Sequence, residues 1–306
     1  MAIPFVKAFD FEYGRCDQLS PLVQRVIADN PGPFTYTGTG VFIIGGTSVC
    51  VIDPGPKTKS HATALDKALA GRTVSHILLT HHHADHSPLA HPLAEAHGCK
   101  VYGRSIQQPL LDSKEVKLEA GYDPTFKPDI ELQDGQILRG EGWTIEALHT
   151  PGHTSNHICF ALEEEKTLFS GDHIMGWSTS VVVPPDGHMG DYLKSLRKVY
   201  DQHYEIIRPT HGPAITNVDK FLEAYMQHRE EREGQILDTI KSGVSDIFEI
   251  VETLYTHVDK RLYPAAAQSV LSHIIHLREK GMITAKGKDS LQQNYFDCDK
   301  PSPIQS

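Results

Sequence analysis

The chain has 306 residues, 39% of them hydrophobic, and a formal net charge of −10 with its 19 histidines neutral. That length supports one large domain or a domain with a small appendage, and the apolar content excludes wholesale disorder. The acidic balance argues against a surface that grips nucleic acid all over, and no run approaches the roughly 18 apolar residues of a membrane span.

The N-terminal stretch MAIPFVKAFDFEYGRC is too acidic and polar for a signal peptide. Residues 1–29 are expected to be an extension packed on the core. VFIIGGTSVCVI (41–52) reads as two β runs about a Gly45-Gly46 turn, closed by the loop Asp53-Pro54-Gly55-Pro56. SHATALDKALA (60–70) places Ala64, Leu65, Ala68 and Leu69 on one helical face. HILLT (76–80) is a short strand, and the polar burst HHHADHS follows it. Ser87-Pro88 is expected to open a helix, serine as N-cap and proline first, which Gly98 ends.

Further on, TIEALHT (144–150), HICFAL (157–162) and KTLFSGD (166–172) read as successive strands, GDYLKSLRKVYD (190–201) as a helix, and EIIRP (205–209) as a last strand. The expectation is an α+β protein with two packed sheets and helices outside. From about residue 216 a long polar helix leads into a tail. PAAAQSVLSHIIHLREKGMITAKG (264–287) there combines a helix, a glycine turn and a short β run, and resembles a winged helix. The five cysteines (Cys16, Cys50, Cys99, Cys159, Cys298) are scattered and never form C-x-x-C, which fits reduced thiols and a cytoplasmic location.

The chemistry sits in H-x-H-x-D-H. On an extended segment residues two apart face the same way, so His81 and His83 can share one ion while Asp85 and His86 address a second. His153, Asp172 and His211 each stand where an expected strand runs into a loop, so one edge of the sheets can gather all seven. Imidazole and carboxylate suit zinc, and also manganese or iron. His82, between the donors, is expected to point away; His149 and His157 are not expected to share the face of His153.

This ordered set resembles the metallo-β-lactamase superfamily over about residues 30–216. The resemblance implies a four-layer αβ/βα sandwich. It also implies a first metal on His81, His83 and His153, a second on Asp85, His86 and His211, and Asp172 bridging both. In this family the two ions sit about 3.5–4 Å apart and share a hydroxide. Asp53, in VIDPGP, matches an aspartate that orients a ligand histidine. True β-lactamases usually carry cysteine or serine where Asp172 stands, so another substrate is implied. The tail, within 217–306, resembles that of the lactamase-β-like group, which holds single-strand-specific endoribonucleases and acyl-carrier-protein thioesterases.

Three readings follow. Asp85 and Asp172 would serve a binuclear hydrolase acting on single-stranded RNA, or one acting on thioesters or esters as glyoxalase II-like enzymes do. The third is a winged-helix regulator with a vestigial core, against which the complete donor set speaks. Trp177, His188 and Tyr192 are candidates for a substrate loop. In the tail His273, His276, Arg278 and Lys280 are candidates to touch RNA, although residues 235–306 hold eight Lys/Arg against nine Asp/Glu. A packing or homodimerising role is the alternative for the tail.

Overall fold

The computed structural model describes residues 2–106, 121–123, 126–285 and 287–298. In chain order the first half gives β1 (Cys16–Gln18), β2 (Val23–Ile27), β3 (Gly40–Gly45), β4 (Ser48–Ile52), α1 (Lys59–Leu69), β5 (Thr73–Leu78), α2 (Ala90–His97), β6 (Lys100–Gly103) and β7 (Ile130–Glu131). Then come β8 (Gln136–Gly140), β9 (Trp143–His149), β10 (Ile158–Leu162), β11 (Thr167–Gly171), α3 (Met189–Tyr200) and β12 (Ile206–Pro209). The tail holds α4 (Val218–Lys241), α5 (Ile247–Leu254), α6 (Tyr263–Glu279), β13 (Ile283–Ala285) and β14 (Tyr295–Asp297).

The strands form a seven-stranded sheet in the order β1-β2-β3-β4-β5-β6-β7 and a five-stranded sheet in the order β12-β11-β10-β9-β8. Strand alternation explains how each sheet serves two cores. Phe42, Ile44, Cys50 and Ile52 face the other sheet and meet Trp143, Ile145, Phe160 and Phe169. Their neighbours Val41, Ile43, Val49 and Val51 face outward, onto Leu65 and Leu69 of α1 and Leu93 of α2. Residues buried on both faces read as continuous apolar runs, which is why VFII and VCVI show no polar gaps. The second sheet turns Leu148, Cys159, Leu168 and Ile207 outward, onto Tyr192 and Leu196 of α3 and Phe221 and Leu222 of α4. Helix, sheet, sheet, helix is the αβ/βα sandwich expected.

Three expectations change. Residues 16–27 are not a mere extension: they pair as β1 and β2, antiparallel to one another and, through β2, to β3. Ser87 does not cap α2, which starts at Ala90 after Leu89 with no side-chain cap. Its hydroxyl is instead engaged by the His83 carbonyl (3.2 Å) and the Asp123 carboxylate (2.9 Å), tertiary partners that a local capping rule does not see. The long helix α4 is polar on one side only. Its first half packs on the second sheet, and Ile236, Leu237 and Ile240 of its second half join the core of the tail. One rigid helix thus belongs to two cores.

In the tail, α5 and α6 pack on α4 through Ile250, Val251, Ala267, Val270 and Ile274, and β13 pairs with β14 as a small wing. Residues 299–306 lie outside the described residues. No described helix is long and apolar enough to cross a membrane. All five cysteines are free thiols.

Candidate metal centre

Five strand ends deliver the polar residues to one edge of the sandwich. Asp53 follows β4, His81 to His86 follow β5, His153 follows β9, Asp172 follows β11 and His211 follows β12. His211 is fixed by a bridge to Thr39 across the two sheets, and the Gly40 amide donates to the Thr210 carbonyl (2.8 Å). Two glycines make the approach feasible. Gly152 has φ +141, and a Cβ there would lie 2.3 Å from the Tyr192 backbone. Gly171, with φ +53, has His157 and Thr80 so close that a Cβ would lie 2.6 Å from the imidazole. Only glycine tolerates either position.

The seven donors gather in two groups. His81, His83, His153 and Asp172 each offer one atom, all within 4.8 Å of one another; Asp85, His86 and His211 do the same. All seven residues are buried. Asp172 reaches toward both groups: its carboxylate lies 3.4 Å from His211 Nε2 and 3.6 Å from His86 Nε2, and 3.9 Å from His153 Nε2. Asp85 lies 3.1 Å from His211 Nε2 and 3.4 Å from His86 Nε2.

Four of the five rings are aimed by a hydrogen bond on the other nitrogen, which fixes the tautomer and turns one lone pair inward. His86 Nδ1 donates to Asp53 (2.9 Å), His211 Nδ1 to the Gly38 carbonyl (3.2 Å) and His153 Nδ1 to the Val181 carbonyl (2.6 Å). His81 Nδ1 lies 3.0 Å from the Thr80 hydroxyl, which itself donates to Asp53 (2.7 Å). Asp53 therefore orients His86 directly and His81 through Thr80. It also accepts from the Thr80 amide (2.8 Å) and the Thr210 hydroxyl (3.1 Å), and it is held at φ 50, outside the ordinary range for a side chain of its kind. Behind this layer the Asp172 amide donates to His157 Nε2 (3.3 Å), whose Nδ1 pairs with Thr150 (2.9 Å). His157 lies behind the donors without joining them, its ring 6.1 Å from that of His153. His82 points away and bonds Asn156 (2.9 Å), and His149 bonds the Ser155 carbonyl at the strand end.

The inward atoms His81 Nε2, His86 Nε2 and Asp172 Oδ1 are buried with no hydrogen-bond partner. Unsatisfied buried polar atoms are costly, and several converging on one point fit a cation. The electrostatics agree. Burial drives His81 and His83 well below the ordinary imidazole pKa, and the neighbouring rings His86 and His153 push the same way, so both are neutral donors. Burial by itself would raise Asp85 and Asp172, but the adjoining His86 and His211 hold both carboxylates well below their usual range. Burial likewise opposes charge on His211, yet Asp172 and Asp85 push it up to about 10. Two buried carboxylates demand positive charge, and the donor chemistry fits divalent ions.

The candidate loop residues separate. Trp177 stacks on Tyr36 (centroids 4.6 Å apart) and lines the cavity beside the donors. His188 instead caps α3 and bonds Glu279 (3.0 Å), and Tyr192 is fully buried in α3, donating to the His173 carbonyl (2.7 Å). Neither lines the cavity. That cavity is about 470 Å³, and its far wall comes from the tail: Tyr255, Val258, Leu262, Ala265, Ala266 and Ser269. Sequence reasoning missed this wall, because its residues carry no motif.

A model of the metallo-beta-lactamase superfamily matches residues 36–211, more than half of the chain. The chain belongs to the metallo-beta-lactamase superfamily. This hydrolase also matches, over residues 247–290, the beta-lactamase associated winged helix domain. Lactamase-like protein notP from Aspergillus sp. (strain MF297-2) is 36% identical over 230 residues, 73% of this chain and 65% of that protein, so the match spans under two thirds of that relative. Atrochrysone carboxyl ACP thioesterase AgnL7 from Paecilomyces divaricatus is 31% identical over 282 residues, 87% of this chain and 83% of that protein. The solved structure of a metallo-beta-lactamase family protein from Thermus thermophilus shares the fold with a TM-score of 0.74 at 24% identity, over 92% of this chain and all of that one.

Proposed function

We propose that this hydrolase cleaves thioesters, with two divalent ions, zinc by donor preference, held by the seven gathered residues. His81, His83 and His153 would hold one ion, Asp85, His86 and His211 the other, and Asp172 both. Ions held there would polarise a carbonyl and lower the pKa of a water toward neutrality.

The cavity carries the substrate reading. It is lined mostly by apolar side chains, with Phe34, Trp177 and Tyr255 among them, and among the described residues Arg229 is the one lysine or arginine. An RNA strand calls for a cationic groove along its backbone and open stacking platforms. An acyl group calls for a small apolar chamber, which this is. A thioesterase among the relatives supports the same reading. The tail cations offered for RNA are engaged elsewhere: His276 and Lys280 bond Glu233 (both 2.7 Å), Arg278 bonds Asp289 (2.8 Å) and His273 is buried. Single-stranded RNA therefore gains no support, nor does a regulator with a vestigial core.

Chain residues divide the work. Donors and their hydrogen bonds hold the centre rigid, so no reorganisation accompanies reaction. The apolar walls exclude water from the acyl group. Asp85 is placed to take a proton and return it to the leaving thiolate; Asp85→Asn with metals bound and full turnover would remove that role. The test is direct. Metal-loaded protein is given an aromatic acyl thioester, the matching oxygen ester and a labelled single-stranded RNA, beside a His81→Ala/His83→Ala control. Thiol release that the control lacks is expected, with RNA intact. RNA cleavage that the control lacks, with thioester untouched, overturns the reading.

A further inference from the structure

The cavity holds one charge that thioester cleavage leaves unexplained. Arg229, on α4, lines it while only 4% exposed. One guanidinium nitrogen donates to the Ser180 carbonyl (2.5 Å), and the group lies 5.1 Å from the Tyr192 ring and 5.9 Å from the Tyr225 ring. Nε is buried with no hydrogen-bond partner. No carboxylate among the described residues pairs with it. Glu233, one turn along α4, is instead occupied by His276 and Lys280. A buried guanidinium without a counter-charge is costly, and two rings and one carbonyl offset only part of that cost.

Ser180 connects this cation to the metal centre. Its carbonyl accepts from Arg229 and its hydroxyl donates to the Asp172 carbonyl (2.5 Å), while the next carbonyl, Val181, accepts a hydrogen bond from His153 Nδ1. An acyl group lying along 178–183 with its thioester at the donors would bring its remote end to α4. We propose that Arg229 recognises a carboxylate carried on the acyl group away from the scissile bond. This rests on the thioester reading for what is cleaved, not for what is bound. A single planar guanidinium matches a singly charged, planar carboxylate through its fork of donors. Apolar walls around it strengthen the pair by keeping water out.

The test uses matched aromatic acids with one carboxylate for the metal centre and, at the far end, either a second carboxylate or a carboxamide of equal size. Calorimetry on the metal-loaded protein is expected to find the dicarboxylate bound tighter, roughly tenfold to hundredfold. Arg229→Gln should bring the two within about twofold, and Arg229→Lys, which keeps the charge without the fork, should retain part of the preference. The affinity ratio is internal to each variant, so partial loss of folded protein does not alter it. The same pairs, offered as thioesters, should show the same preference in kcat/KM. Equal affinity in the unaltered protein, or a preference that survives Arg229→Gln, overturns the assignment. If the preference is found but no thioester is cleaved, the anion site stands and the thioester reading falls.

Discussion

The two walls of the cavity are made of different materials. On the core side the important positions are polar, buried and tied by hydrogen bonds, from Asp53 to His86 directly and to His81 through Thr80. On the tail side Tyr255, Val258, Leu262, Ala265 and Ala266 offer shape and apolar surface. The core wall is specified by chemistry, which tolerates few residue types. The tail wall is specified by packing, carried through α4, and many side chains of similar volume would serve. On the proposed function, reactivity and selectivity would reside in separate parts of the chain, and substitutions would separate them.

The largest effect should come from breaking the core wall itself. His81→Ala/His83→Ala removes two donors from one group and is expected to lower turnover by about 10³-fold or more. Elemental analysis should find less metal per chain, while circular dichroism stays unchanged because these residues follow β5 rather than build its core. Full metal content in the double variant would refute the donor assignment. Asp53→Asn strikes one layer further out. It leaves every donor in place but weakens the aim of His86 and His81, so chelator competition should report metal affinity lower by roughly 10- to 100-fold. An unchanged affinity would reduce Asp53 to a loop-forming role.

What could be read from the chain follows the same division. The candidate metal donors are legible because coordination needs particular residue types at strand ends, and H-x-H-x-D-H supplies them. The sandwich was legible from apolar runs broken by glycine and proline. The short strands β1 and β2 were not, since Cys16–Gln18 is polar and Val23–Ile27 carries Gln24 and Arg25 among its apolar residues. The cavity's far wall was hidden because Ala265 and Ala266 are small side chains in an unbroken alanine run, and Ala266 also belongs to the tail core with Ala267 and Val270. Arg229 was hidden inside a helix whose composition reads as solvated. Its burial depends on α3 and on residues 178–180, which no local pattern announces.

The tail should also answer to acid. His273 is fully buried in the core of α6, and burial brings its pKa down to about 4, with Glu233 at 3.8 Å opposing only in part. The folded pKa is depressed, so the unfolded chain takes up the proton first. Stability is full above pH 6.5 and is lost as the pH falls from there toward 4. Between pH 7 and 5 the loss assigned to His273 should be on the order of 2 kcal/mol. Denaturant unfolding at the two pH values, for the protein and for His273→Phe, isolates it as the difference between their losses. Equal losses would mean that the imidazole charges without cost in the folded tail.

The smallest effect sharpens the comparison most. Leu262 lines the cavity from the tail yet is 54% exposed, so it contributes little to the fold. Leu262→Ala should therefore change unfolding stability by no more than about 0.5 kcal/mol. It removes apolar surface facing the acyl group, worth on the order of 1 kcal/mol to a substrate that reaches it. An aromatic acyl thioester long enough to reach α6 should lose about fivefold in kcat/KM relative to an acetyl thioester, which ends at the donors. Measured as that ratio, the result is independent of metal loading, which acts on both substrates alike. A ratio that does not move would make the tail a lid without selectivity. A ratio that falls, while Asp53→Asn leaves it fixed, would confirm that the core carries the reaction and the tail chooses what reacts.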